Sequence, residues 1–157
     1  MARDATARLY DVDEDTVVFK KLEQSKKYDQ GTVTFRARKG KLIDLDKLYE
    51  SIRATRLSGG TRSGLVSLEA TAIGAVVANQ EQMILEVAGS DAHFVLVKDP
   101  ENEGRDVFAE LQAAAPHVVS VTGRLDGWAG RWPNMLRKRP AKPRRILVTG
   151  FETAEAQ

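Results

Sequence analysis

An α+β fold dominated by strands is predicted for these 157 residues by three features. Short apolar runs, alternating or β-branched, recur between turn-forming clusters along most of the chain. Only two segments, one after Asp44 and one after Gly104, show helical spacing of apolar residues. No repeat of solenoid length exists, which excludes a repeat architecture. The turn-like SGGTRSG separates two groups of elements and divides the chain into a polar lead-in (1–15), a strand-strand-helix unit (16–65), a strand-rich part (66–151) and a tail (152–157).

Taken in order, the lead-in contains the acidic cluster Asp11, Asp13, Glu14 and Asp15, and a first strand is expected at Thr16–Phe19. After a hydrophilic connection ending at Gly31, Val33, Phe35 and Ala37 alternate with Thr34, Arg36 and Arg38, which predicts a half-buried strand paired as a hairpin with the first. Asp44 is placed to cap a helix carrying Leu45, Leu48, Tyr49 and Ile52 on one face and ending before Gly59 and Gly60. A long β-type run, Val66–Ala78, is interrupted by Gly74. A right-handed crossover from the strand at Thr32 through the helix to this run would make those two strands parallel. Short strands follow at Met83–Ala88 and His93–Val97. Arg105–Ala115 reads as a helix with Val107, Phe108 and Leu111 inward, stopped by Pro116. Two alternating strands, His117–Arg124 and Arg145–Phe151, bracket a long loop.

An apolar content of 42% suffices for a real core. The absence of cysteine excludes disulfides, thiolate metal sites and cysteine nucleophiles, and leaves the redox compartment open. No run approaches the roughly 18 apolar residues of a membrane span, and the first residues lack a signal-peptide core. The expectation is therefore cytoplasmic, although an exported fragment with a new start Met would read the same. The formal net charge of +2 conceals a concentration: Arg131–Arg145 (RWPNMLRKRPAKPRR) holds seven Lys/Arg and no acid, against 17 basic and 22 acidic residues elsewhere.

From about Val66 to Phe151 the order is glycine-kinked strand, strand, strand, helix, strand, long loop, strand. With IGAVV early and VSVTGRL late, this resembles an OB-fold, a five-stranded Greek-key barrel. Gly74 falls where such a barrel bends its first strand. The stretch 31–74 resembles the second half of a ferredoxin-like heavy-metal-associated domain. That family holds its metal through a CxxC loop, which this chain lacks, so the likeness implies fold and no metal binding.

The OB resemblance implies that the loop between the fourth and fifth strands borders a ligand face for oligonucleotides or oligosaccharides. Arg131, Arg137, Lys138, Arg139, Lys142, Arg144 and Arg145 are the candidate phosphate contacts, with Trp128 and Trp132 as stacking faces. Against this stands a plainer role, in which the loop is solvated and both Trp pack on the barrel. Arg36, Arg38, Lys39 and Lys41 form a second basic group, read as a solvated sheet edge.

Other motifs fail on chemistry. Ser58–Gly64 follows a helix rather than preceding one, so it is a helix stop and not a phosphate cradle. The run Asp11–Asp15 lacks the glycine and the bidentate Glu of a calcium loop, with Thr16 and Leu22 at those positions. His93 with Asp91, and His117, supply neither three metal donors nor an activated nucleophile. Asp44 and Asp46 suit a helix N-terminus. The expectation is a non-enzymatic binding or accessory protein with no cofactor, its partner a nucleic acid or other anionic polymer. The competing reading is a protein-interaction or structural module that meets a partner chain or itself.

Overall fold

The computed structural model describes residues 11–21, 31–54, 67–78, 81–102, 104, 106–115, 117–128 and 142–154. The chain forms an α+β structure of two compact units, Met1–Gly64 and Leu65–Gln157. No helix among the described residues is long and apolar enough to cross a membrane.

In the first unit, β1 (Val12–Lys21) and β2 (Gly31–Ala37) form a two-stranded antiparallel sheet. The register slips between Asp13, opposite Arg36, and Val18, opposite Thr34, so residues 14–17 stand against Phe35 alone. Thr16 mends the interrupted ladder: its hydroxyl donates to the Asp13 carbonyl at 2.6 Å and accepts from the Arg36 amide at 2.9 Å. This corrects the expected strand start at Thr16. Asp13, Glu14 and Asp15 belong to the strand, because a two-stranded ribbon exposes enough of its surface to carry them, while Val12 is buried and anchors the entry.

Helix α1 (Leu45–Ala54) begins as its cap dictates. Asp44 Oδ1 accepts from the amides of Asp46 and Lys47 at 3.0 and 3.1 Å, satisfying donors that the first turn leaves open. Leu48 and Tyr49 are buried, and Leu45 and Ile52 partly so.

The second unit contains β3 (Glu69–Ala78), β4 (Met83–Val87), β5 (His93–Lys98), α2 (Val107–Ala114), β6 (Val118–Leu125) and β7 (Arg145–Thr153). The strands hydrogen-bond in the order β3-β4-β5-β7-β6, and β6 returns to β3, closing a barrel. The β5–β7 pair is parallel and every other pair is antiparallel. Closure follows from β3 serving two neighbours, β6 over Glu69–Ala75 and β4 over Gly74–Ala78. Gly74 and Ala75 pair with both neighbours where one partner gives way to the other, and a Cβ at Gly74 would strike the Glu86 carbonyl. Val76, Leu85, Leu96, Val119, Val121, Ile146 and Val148 fill the interior with Leu111 of α2. Asp106 caps α2, its carboxylate accepting from the Ala109 amide at 3.1 Å.

The expected β2–α1–β3 crossover is not formed. Among the described residues β2 pairs with β1 only, and β3 is antiparallel to both of its partners. The reason is capacity: a strand has two hydrogen-bonding edges, and β4 and β6 occupy both of β3's.

Candidate ligand-binding site at the foot of the basic loop

The loop between β6 and β7 is held closed at its base. Leu125 stands opposite Ile146, and the Asp126 amide donates to the Arg145 carbonyl at 2.9 Å. Gly127 then takes a left-handed φ of 78°, a conformation that costs glycine little, and turns the chain so that Trp128 falls back toward the barrel. The Trp128 amide donates to the Leu125 carbonyl at 3.3 Å. Its side chain is 0% exposed. On the returning limb the Arg144 guanidinium lies 5.6 Å from the Trp128 ring centroid and is itself buried, while the Arg144 carbonyl accepts from the Val95 amide at 2.9 Å. A cation over an indole face out of bulk water is a stabilising contact of about 1–2 kcal/mol.

Two of the sequence-based site assignments are thereby corrected. Trp128 offers no face to a ligand, and Arg144 spends its charge on the indole; both pin the loop. Arg145 fits its assignment better, with a side chain 51% exposed, although Asp126 approaches it to 3.5 Å. Lys142 is exposed. Arg131, Trp132, Arg137, Lys138 and Arg139 lie outside the described residues, as does the turn Ser58–Gly64.

The foot of the loop is also the end of a cross-strand row. Val77 on β3 is in register with Ile84 on β4, Ile84 with Val95 on β5, and Val95 with Arg145 on β7. These residues point outward, since their sequence neighbours Val76, Leu85, Leu96 and Ile146 are buried. Val97 and Leu147 are a second aligned pair beside them. Sequence reasoning missed this surface. Its signal was present in MILEV and HFVLVK, which are apolar at successive positions where a half-solvated strand alternates.

A second charged cluster is structural in character. Asp99 is 4% exposed, and Arg124 reaches it through Nη2 at 2.7 Å and Glu101 through Nη1 at 2.9 Å, while the Glu101 amide donates to Asp99 Oδ1 at 3.0 Å. Burial is the largest single influence on Asp99 and pushes its pKa up, but the Arg124 hydrogen bond and charge and the Glu101 amide together outweigh it, leaving the pKa lowered. Lys98, donating to Asp106 at 2.9 Å, likewise lowers the pKa of that helix-capping carboxylate. This network staples the end of β5 and the start of α2 to β6.

The second basic group lies in the first unit. Arg38 donates through Nε to the Val12 carbonyl at 3.0 Å and lies 3.7 Å from Glu14. Arg38 and Lys39 border a shallow depression of about 410 Å³ shared with Asp13, Glu14 and Asp15, a mixture of charges ill-suited to an anion. His93 and His117 are exposed, His93 opposite Glu86, and no cluster of metal-binding side chains occurs among the described residues. Compared with protein families, curated proteins and solved structures, the chain matches none.

Proposed function

We propose that the second unit is an OB-type barrel acting as a non-enzymatic module that binds an anionic ligand, single-stranded nucleic acid among the candidates, through the basic loop between β6 and β7. The strand order supports the OB reading: with β3 as first strand, the third and fifth are parallel neighbours and the helix falls between the third and fourth. One observation carries the functional reading. Seven cations and no acid occupy 131–145, and this segment re-enters the barrel at Arg145 on the outward row of β3, β4 and β5. Low-dielectric strand surface beside a cationic loop strengthens attraction for an anion relative to open water.

Fluorescence anisotropy with labelled single-stranded DNA and RNA tests the proposal. Contact with about four phosphates predicts a roughly fifty-fold loss of affinity between about 50 and 200 mM salt. Joint replacement of Arg137, Lys138 and Arg139 by Gln should abolish that binding, with urea unfolding of parent and variant as the check that the fold is retained. Absence of salt-sensitive binding to any anionic polymer would remove the reading.

A further inference from the structure

We infer that the outer edge of β2 pairs with β2 of a second copy of this chain, antiparallel and centred on Thr34, so that two ribbons join into one four-stranded sheet. The inference concerns the first unit and stands apart from the anion-binding reading of the second. A two-stranded ribbon is marginal in water by itself, and each outer edge carries backbone groups in search of a partner. The two edges differ. On β1, Asp13, Glu14 and Asp15 and the register slip before Val18 are devices that keep another strand away. β2 contains no acid and no proline, and Arg36 is its one charge.

The direction of the backbone groups on β2 is set by its bonds to β1. The Arg36 amide donates to the Thr16 hydroxyl and the Arg38 amide to the Asp11 carbonyl. Backbone groups alternate sides along a strand, so those of Gly31, Val33, Phe35 and Ala37 point away from β1. Among the described residues β2 pairs with β1 alone, and these outward groups meet no strand.

Self-complementarity identifies the occupant. A two-fold axis through Thr34, the midpoint of Gly31–Ala37, sets Val33 against Phe35 of the second copy, Thr32 against Arg36 and Gly31 against Ala37. Every outward backbone group then falls in a hydrogen-bonded pair, which makes about eight bonds at two per pair. The Val33–Phe35 pairs join a β-branched to an aromatic side chain, a favoured cross-strand combination. Phe19 is in register with Val33 and 50% exposed, so an apolar row begun on β1 continues onto Phe35 of the second copy. Like charges are kept apart: each Arg36 lies over a threonine, and the two stand roughly 14 Å from each other along the strands. A strand that reads as β2 reversed meets all these conditions, and a second copy supplies it.

The chain contains no cysteine, so a single introduced thiol reports on one position. In the paired sheet Thr34 faces Thr34 of the second copy at a non-hydrogen-bonded position, with Cα atoms about 4.5 Å apart and within disulfide reach. Full-length Thr34→Cys, oxidised with diamide, should therefore form a covalent dimer. Thr32→Cys, exposed on the same face but set over Arg36, should cross-link at least about tenfold more slowly. Light scattering of the unaltered chain should show a mass rising from one chain to two as concentration increases into the high micromolar range. Val33→Pro removes two symmetry-related donors and spares the ladder to β1, and it should weaken the dimer at least about thirtyfold. Circular dichroism checks that this variant is folded; if it is not, the cysteine pair decides alone. A single-chain mass at every concentration overturns the inference and leaves the edge to a strand of another protein. Dimers in which Thr34→Cys cross-links no faster than Thr32→Cys overturn it as well, because they form elsewhere on the molecule.

Discussion

Trp128→Ala separates a loop anchored by its aromatic residue from a loop whose aromatic residue contacts ligand. A tryptophan that goes from exposed to buried removes about 150–250 Å² from water, equivalent to roughly 4–6 kcal/mol at about 25 cal/mol per Å². A compact unfolded chain and the methyl group retained by alanine reduce that value, and measured Trp-to-Ala changes in cores cost about 3–5 kcal/mol. The Arg144 guanidinium, 5.6 Å from the ring centroid, loses its contact with the indole as well, which adds to the cost. The assay is urea unfolding, followed by circular dichroism, of the parent and the variant. The expected result is a large fall in midpoint with little change in slope, and in thermal unfolding a drop of about 12 °C or more. A loss below about 1 kcal/mol accompanied by weaker binding of anionic probes would refute the anchoring argument and return Trp128 to the ligand face.

Two further perturbations probe the frame that carries the loop. Gly74→Ala should destabilise by about 1–3 kcal/mol or more in the same unfolding assay, because its Cβ would meet the Glu86 backbone and β3 cannot retreat while paired on both sides; an unchanged midpoint would contradict barrel closure at this residue. Asp99→Asn should cost about 1.5–3 kcal/mol near neutral pH. Because the folded pKa of Asp99 lies below its ordinary 3.8, its stabilising share is present above that value and is lost as pH falls through the folded pKa. The stability gap between parent and variant should therefore narrow below about pH 4, and a gap that stayed constant into stronger acid would count against the Asp99–Arg124 pair.

The elements most readable in the sequence are those whose burial pattern repeats their polarity pattern. Val119, Val121, Gly123 and Leu125 alternate with Ser120, Thr122 and Arg124, and β6 is buried and half-exposed in the same rhythm. Asp44 was legible as a cap because a carboxylate before a helical apolar stripe has two amides to satisfy. Three features were hidden, each for a physical reason. Charge at Asp13–Asp15 disguised β1, since a ribbon with a bulge tolerates carboxylates that a two-sided sheet excludes. The crossover into β3 was a plausible local geometry defeated by distant partners, because β6 lies some fifty residues downstream and still pairs with it. Trp128 was assigned by the company it keeps, a cationic segment, when the nearer clue was the Asp126-Gly127 turn three residues or fewer after the buried Leu125, too short a tether to carry an indole away from the barrel.

The anchoring of the loop also limits how strongly it can respond to salt. Of the seven cations in 131–145, Arg144 is buried against Trp128 and Arg145 is offset by Asp126 at 3.5 Å, which leaves at most Arg131, Arg137, Lys138, Arg139 and Lys142 for phosphates. At about 0.7 per phosphate of single strand, five contacts set a limiting slope near −3.5 and a loss of about 130-fold between about 50 and 200 mM salt. A steeper dependence would require cations from outside the loop. A slope well under this limit, joined to tight binding, would place the missing affinity in uncharged contacts, where the aliphatic row ending at Arg145 is the surface able to supply it.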